Sequence, residues 1–463
     1  MPACAGMTRK LLAGLVGIFI FATAAQAAEA LILTDIHFNP FADKSLAEAL
    51  VAAPAEQWPA ILDRGQERMS IYGEDTDWKL LQSALTVIAA QPKPDFVLAP
   101  GDFLAHEFRT RFNASVAQHD DAAYTRFTVK TMRFLALAIE AATSHAPIMP
   151  ALGNNDSDCG DYGVAPGGSF LAGTEATVAG MIGSAAGDDF ATSWTALGNY
   201  MAPIAALPDT SVIALNDNFF SPHYRDTCGA AARAGNPARA TLAWLERALA
   251  DAAAAHRKVI LIYHIPPGTD AFATAKQNVC PVTPVPLLAE PYATDLHALM
   301  RRYRDTIAAE IAGHLHTAAF RIRRDQGKAF GFVMIAPAVS PIFAQDPSFT
   351  RLAIGPGDTI RDATTYYLAN LPAAGAGQAP AWQAEASFDR AWDASGFNTA
   401  SLEKLFRDIG SSPEARQRWI ARYGVQGPAG GAITPESAAS YRCSVGTDEA
   451  ADFARCLCGA GAR

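Results

Sequence analysis

Seven side chains suited to divalent metals recur in one order along the chain. Asp35 and His37 form a D-x-H string, Asp102 follows Gly101, Asn154 follows Gly153, His264 stands alone, and His314 and His316 form G-H-x-H. Carboxylate, amide oxygen and imidazole together suit zinc, manganese or iron better than calcium or magnesium. Two divalent ions about 3.5–4 Å apart need such a set, with one carboxylate shared, and a pair so held clamps a phosphoryl group. Alternate residues of an extended chain point the same way, so both members of Asp35-x-His37 and of His314-x-His316 can face one site. The glycines at 101, 153 and 313 are expected to let the backbone turn sharply beside the ions. Singly, each piece is weak: a D-x-H or Gly-Asp string is more often a turn, and a lone strand-end histidine more often satisfies a hydrogen bond. Jointly, in this order and each after an apolar run, they are not expected of chance.

The elements that must position these residues are legible as short β-rich runs ending in polar residues. They are Ala30 to Thr34, Phe96 to Ala99, Pro147 to Leu152, Val212 to Leu215, Val259 to Tyr263 and Ile307 to Ala312. Between them lie helical patterns: Trp78, Leu81, Leu85 and Ile88 share one face, as do Leu242, Leu245 and Leu249. Strand–helix alternation with polar strand ends predicts an α/β fold whose site sits at the carboxyl edge of a sheet. After His316 the runs Ala319 to Arg323, Phe332 to Ala336, Arg351 to Ile354 and Thr364 to Leu368 lack intervening helices, which predicts a second, mostly antiparallel sheet. The Gly/Ala/Ser stretch 160–187 reads as a long insertion near the site, with Phe170 and Trp194 as aromatic core. Residues 28–370 read as the catalytic domain, 371–382 as an Ala/Gly/Pro linker, and 383–463 as a helical, cysteine-bearing extension.

The order D-x-H, G-D, G-N, H, G-H-x-H resembles the calcineurin-like metallophosphoesterases. Gly101-Asp102-Phe103-Leu104-Ala105-His106, Leu215-Asn216-Asp217-Asn218-Phe219, His264-Ile265-Pro266-Pro267-Gly268 and Asp346-Pro347-Ser348-Phe349 further resemble their acid sphingomyelinase-like branch. That resemblance implies a four-layer α/β/β/α sandwich of two mixed sheets with a small helical C-terminal extension. It implies Asp35, His37, Asp102 and His316 around one ion and Asp102, Asn154, His264 and His314 around the other, with Asp102 bridging. A hydroxide between the ions would then attack phosphorus in line. Most of the superfamily has histidine after the Gly-Asn, whereas this chain has Asn155 and then Asp156, a Gly-Asn-Asn-Asp string also found in endopolyphosphatase-like members. Asparagine donates a hydrogen bond but supplies no proton. The acid is therefore expected to be His106, four residues past Asp102, with Asn155 contacting the reacting group.

Arg9 and Lys10, the apolar run Leu11 to Ala22 and Ala25-Gln26-Ala27 have the layout of a signal peptide cleaved after Ala27, so a periplasmic or secreted protein is expected. No further run approaches membrane length. The chain has 463 residues, is 50% hydrophobic and 18% charged, and carries a net charge of −9, which argues against a nucleic-acid duplex as partner. An acidic protein must hold an anion through a local device such as a metal pair. Of the seven cysteines, Cys4 would leave with the signal; Cys159, Cys228, Cys280, Cys443, Cys456 and Cys458 remain and are expected to pair as disulfides. Cys456 and Cys458 are too close to join each other, so one is expected to reach back to Cys443. The reading is a monomeric phosphodiesterase acting on a small-molecule or lipid phosphoester with two divalent ions, zinc ahead of manganese or iron. The alternatives are a polyphosphate or nucleotide phosphoanhydride hydrolase and a non-catalytic, metal-containing binding protein.

Overall fold

The structure is a computed structural model that describes residues 1, 27–65, 68–225, 235–277, 280–355 and 359–459. The expected signal peptide, but for its end residues, and Cys228 lie outside the described residues. Strands β1 (Ala28–Ile32), β2 (Phe96–Ala99), β3 (Ile148–Pro150), β4 (Tyr200–Ile204), β5 (Leu207–Ala214) and β6 (Lys258–Ile262) precede β7 (Ile307–Ala312), β8 (Ala319–Asp325) and β9 (Lys328–Ile335). The last three are β10 (Ser348–Ile354), β11 (Ile360–Leu368) and β12 (Trp382–Ala384). They form two six-stranded sheets, ordered β12-β11-β10-β1-β2-β3 and β4-β5-β6-β7-β9-β8. Both are mixed, as the four-layer architecture requires.

The inner strands read as continuous apolar runs because both their faces are covered: every residue of β2 is buried, and so is Val259 through Ile262 of β6. β4, an edge strand, alternates buried and exposed residues and tolerates Pro203. Helix Trp78–Ala90 begins where Asp77 accepts the Leu80 N–H at 2.8 Å and buries Leu81, Leu85 and Ile88. Helix Asp121–Ala142 packs with it on the side of the first sheet; helices Pro237–Ala254 and Tyr292–Arg302 cover the second.

One expectation needs correction. The strands after His316 do not make a sheet of their own: β8 and β9 join β5–β7, whereas β10 pairs antiparallel with β1, Leu31 opposite Arg351. Three parallel strands β1–β2–β3 leave one side of β1 open, and β10 covers that edge; alternation along a strand carries no information about its partner. The 160–187 stretch, read as a long insertion, is largely helical. It contains helix Ser169–Ile182, whose small residues let it lie close on helix Asp121–Ala142, since a Cβ on Gly173 would come 2.8 Å from Val129. Phe170 and Trp194 are buried core.

Residues 371–382 carry helix Leu371–Gly375 and run into β12, where Trp382 Nε1 donates to Ser83 Oγ at 2.8 Å. Leu402, Leu405 and Ile409 of helix Thr399–Ser411 enter the main hydrophobic core. Disulfides Cys443–Cys456 and Cys280–Cys458 fasten the C-terminal helices to themselves and to the loop after β6; Cys159 is also disulfide-bonded. Arg323 of β8 sits fully buried between Glu310 of β7 at 2.5 Å and Asp448 at 2.5 Å, and His297 Nδ1 meets Asp448 Oδ2 at 2.9 Å.

Burial opposes a charged His297, but Asp448 outweighs it and raises the imidazole above its ordinary 6.5. A raised native value stabilises the fold fully below that ordinary value and ceases to do so as pH climbs through the native one. The melting temperature should therefore fall over that window in the wild type, and His297→Gln should flatten this fall. A variant whose melting curve keeps the wild-type pH slope would contradict the assignment.

Candidate metal and phosphoester site

All seven expected ligands lie just beyond strand carboxyl ends: Asp35 and His37 after β1, Asp102 after β2, Asn154 after β3, His264 after β6, His314 and His316 after β7. The parallel strands of the two sheets therefore deliver them to one shared edge. Asp102 Oδ2 is the centre of the cluster, 3.3 Å from His37 Nε2 and 3.2 Å from His264 Nε2. On one side His37 Nε2 faces His316 Nε2 at 3.0 Å, and His316 Nε2 lies 3.3 Å from Asp35 Oδ1. On the other, Asn154 Oδ1 lies 3.0 Å from His264 Nε2 and 2.9 Å from His314 Nδ1. Two four-donor sets thus share one carboxylate oxygen.

The donors are oriented as ligands would be. His37 Nδ1 donates to the Leu104 carbonyl at 3.1 Å and His264 Nδ1 to the Pro100 carbonyl at 2.9 Å, so each ring turns Nε2 inward. Asn154 Nδ2 donates to Asp161 at 2.7 Å, which fixes its amide with Oδ1 facing the cluster. Burial brings His37 down to about 4 and His314 to about 3, and holds His316 well below its usual range, so all three are neutral imidazoles. Burial also opposes charge on His264, yet Asp102 outweighs it and lifts that ring to about 10. Asp102 in turn stays ionised despite burial, held low chiefly by the charge and hydrogen bond of His264 and by the Asn155 N–H. The cluster thus contains a proton that an arriving cation would displace. The donor set fits a pair of divalent ions of the borderline kind.

The local backbone is shaped for this purpose. Asp35, His37, Asp102, His314 and His316 all have positive φ, between 44° and 70°, a conformation uncommon outside glycine and concentrated at functional sites. The glycines act differently from the expectation of sharp turns. Only Gly101, of the three, has positive φ; Gly153 and Gly313 are needed for space, since a Cβ would lie 2.0 Å from Asp102 Oδ1 and 2.5 Å from Asp35 Oδ2 respectively.

Buried carboxylates outside the ligand set tie the loops together. Asp156 accepts the N–H groups of Phe103 at 2.8 Å, Leu104 at 3.1 Å and Gly153 at 2.8 Å, locking the Asp102 and Asn154 loops in register. Asp217 accepts the N–H groups of His264 and Ile265 at 3.2 and 3.0 Å. Burial raises both carboxyls to about 7. Sequence reasoning passed over these roles, although Asp217 follows a strand end as the ligands do.

His106 stands at the rim, its side chain 27% exposed and its ring stacked on His37 at 4.1 Å. Its Nδ1 lies 2.8 Å from Asp75 Oδ1, and Arg111 reaches Asp75 Oδ2 at 3.0 Å. Burial disfavours the imidazolium, but Asp75 prevails and raises it. Asp75 precedes a helix in a Gly-Glu-Asp-Thr-Asp string with no strand before it, and nothing in the sequence marks it. Asn155 donates its backbone N–H to Asp102 Oδ1 at 2.8 Å and its amide to Oδ2 at 3.0 Å. A buried carboxylate needs such donors, and they orient the shared ligand. On the far rim Tyr162 Oη lies 3.5 Å from His314 Nε2, and the exposed His223 packs 5.3 Å from the Tyr162 ring. His119, His145 and His256 are exposed and lie outside the cluster.

The family model of the calcineurin-like phosphoesterases matches residues 29–318. The chain is similar to cyclic GMP-AMP phosphodiesterase SMPDL3A of Rattus norvegicus, 28% identical over 221 residues, 46% of either chain. It is similar to acid sphingomyelinase-like phosphodiesterase 3b of Mus musculus, 24% identical over 412 residues, 84% of this chain and 80% of that one. Sphingomyelin phosphodiesterase of Homo sapiens is 24% identical over 383 residues, 76% of this chain and 53% of that one. The chain thus spans about half the length of the rat and human relatives.

Proposed function

The chain belongs to the calcineurin-like phosphoesterase family, and on that premise we propose that it is an exported, dinuclear-metal hydrolase of phosphodiesters. The observation that carries this reading is the position of Asp102 Oδ2, 3.3 Å from His37 Nε2 and 3.2 Å from His264 Nε2, where one oxygen can serve two ions. Asp35, His37, Asp102 and His316 would hold one ion and Asp102, Asn154, His264 and His314 the other, zinc being favoured by the imidazole-rich set. When bound, the ions supply an activated water and neutralise charge growing on the phosphoryl oxygens.

The chain's own groups do the rest. Asp156 and Asp217 hold the ligand loops at fixed spacing, Asn155 orients Asp102, and His106, held by Asp75, stands ready to protonate the departing oxygen. Residues 28–370 form the catalytic domain in this reading, with 383–463 packed on it as an extension. Disulfides support an exported protein, and no helix among the described residues is long and apolar enough to cross a membrane.

The relatives' names point to sphingomyelin and cyclic dinucleotides as first substrates to try. A panel of these two with nucleoside triphosphates and polyphosphate tests the reading. Turnover of a diester above the anhydrides is expected. Preference for polyphosphate would replace the diester reading with the phosphoanhydride one.

A further inference from the structure

The rim beside His106 carries an apolar group with no structural partner to match its size. Phe343 is 55% exposed, one of few large hydrophobic residues so open among the described residues. Its ring lies 5.8 Å from His106 and 4.7 Å from His316, at interplanar angles of 80° and 63°. The loop around it is fastened on both sides. Ala344 adopts φ 68°, costly for alanine; its N–H donates to the Pro341 carbonyl at 3.0 Å, and its carbonyl accepts the Ala429 N–H of the C-terminal extension at 2.7 Å. Gln345 is buried 3.3 Å from His316 Nδ1, and Asp346 accepts a hydrogen bond from Tyr72. The backbone is therefore strained and anchored while the ring itself stays in solvent.

We propose that Phe343 is the platform on which the leaving group rests, and that the substrate is a phosphodiester whose departing alcohol carries an apolar body, a nucleoside ring or an acyl chain. This rests on the reading of the site as a diester hydrolase with His106 as acid. Water adds its oxygen to phosphorus, the bond from phosphorus to the departing oxygen breaks, and His106 gives that oxygen its proton; the proton shed by water passes to solvent. For that transfer the departing oxygen must come within about 2.6–3.2 Å of His106 Nε2, since Nδ1 is taken by Asp75. The atoms attached to that oxygen then lie against Phe343. A polyphosphate leaving group would bring charge to this ring, and Arg111, which donates to the His106 carbonyl at 2.8 Å, is already paired with Asp75 at 3.0 Å.

The test compares wild type and Phe343→Ala on three substrates: a dinucleoside monophosphate, a short-chain soluble sphingomyelin, and glycerophosphocholine, whose departing alcohols carry neither ring nor acyl chain. The expected result is a roughly tenfold or greater fall in kcat/KM on the first, the second or both, with glycerophosphocholine unchanged; which of the two falls identifies the apolar body. Phe343→Tyr should restore most of the loss. Equal losses on all three, or none, would overturn the proposal while leaving the hydrolase in place. Absence of wild-type turnover on every phosphoester would overturn both, so the two failures are distinguishable.

Discussion

Asp102→Asn is expected to lower kcat on bis-p-nitrophenyl phosphate by at least ~10³-fold, beyond the roughly 10²–10³ that follows loss of one oxyanion donor. Asp102 Oδ2 is the oxygen common to both donor sets, so removing its charge weakens both sites at once. Asparagine tolerates the positive φ of 56° at this position and keeps an oxygen for the Asn155 N–H, so the fold should survive. Metal content measured on the purified variant should fall from two ions per chain to one or none. A variant that retains both ions and near-wild-type turnover would remove Asp102 from the bridging role. The same loss accompanied by an unfolded circular dichroism spectrum would leave the role to be read from Asp102→Glu, which retains charge but displaces it.

The second large effect concerns the proton. His106→Ala should cost roughly 10²–10⁴-fold on diesters that expel an unactivated alcohol, and little on bis-p-nitrophenyl phosphate, whose nitrophenolate leaves without protonation. Asp75→Asn should show the same selectivity at smaller amplitude. It keeps a side chain of the same shape beside His106 Nδ1 and Arg111 but removes the charge that favours the imidazolium. Equal losses on both kinds of substrate for His106→Ala would mean that the acid lies elsewhere. A loss for Asp75→Asn that ignores the leaving group would make Asp75 a packing residue only.

Much of this was legible before the fold. The convergence of the seven expected ligands could be read because strands end where apolar runs stop, and in a parallel α/β sheet those ends meet. Each of the six runs fell on a strand, β2 and β7 to the residue, although β5 starts five residues before the run that announced it. What stayed hidden was long-range. The pairing of β10 with β1 depends on an open edge, not on composition, and Asp75 reaches His106 only because two loops fold together. Gly-rich sequence misled in both directions. It concealed helix Ser169–Ile182, where small residues allow close packing, and it suggested sharp backbone turns at Gly153 and Gly313, which instead leave room for a carboxylate. The bond from the Asn155 amide to Asp102 was likewise hidden, because it joins loops 53 residues apart.

In the proposed centre one carboxylate, Asp102, joins two ions. The most direct measurement is to strip the protein with a chelator, add zinc in steps, and follow bound metal and bis-p-nitrophenyl phosphate turnover together. Turnover that rises with the second equivalent and saturates at two ions per chain is the predicted result. Full activity with one ion or none, or two bound ions with no turnover, would contradict it.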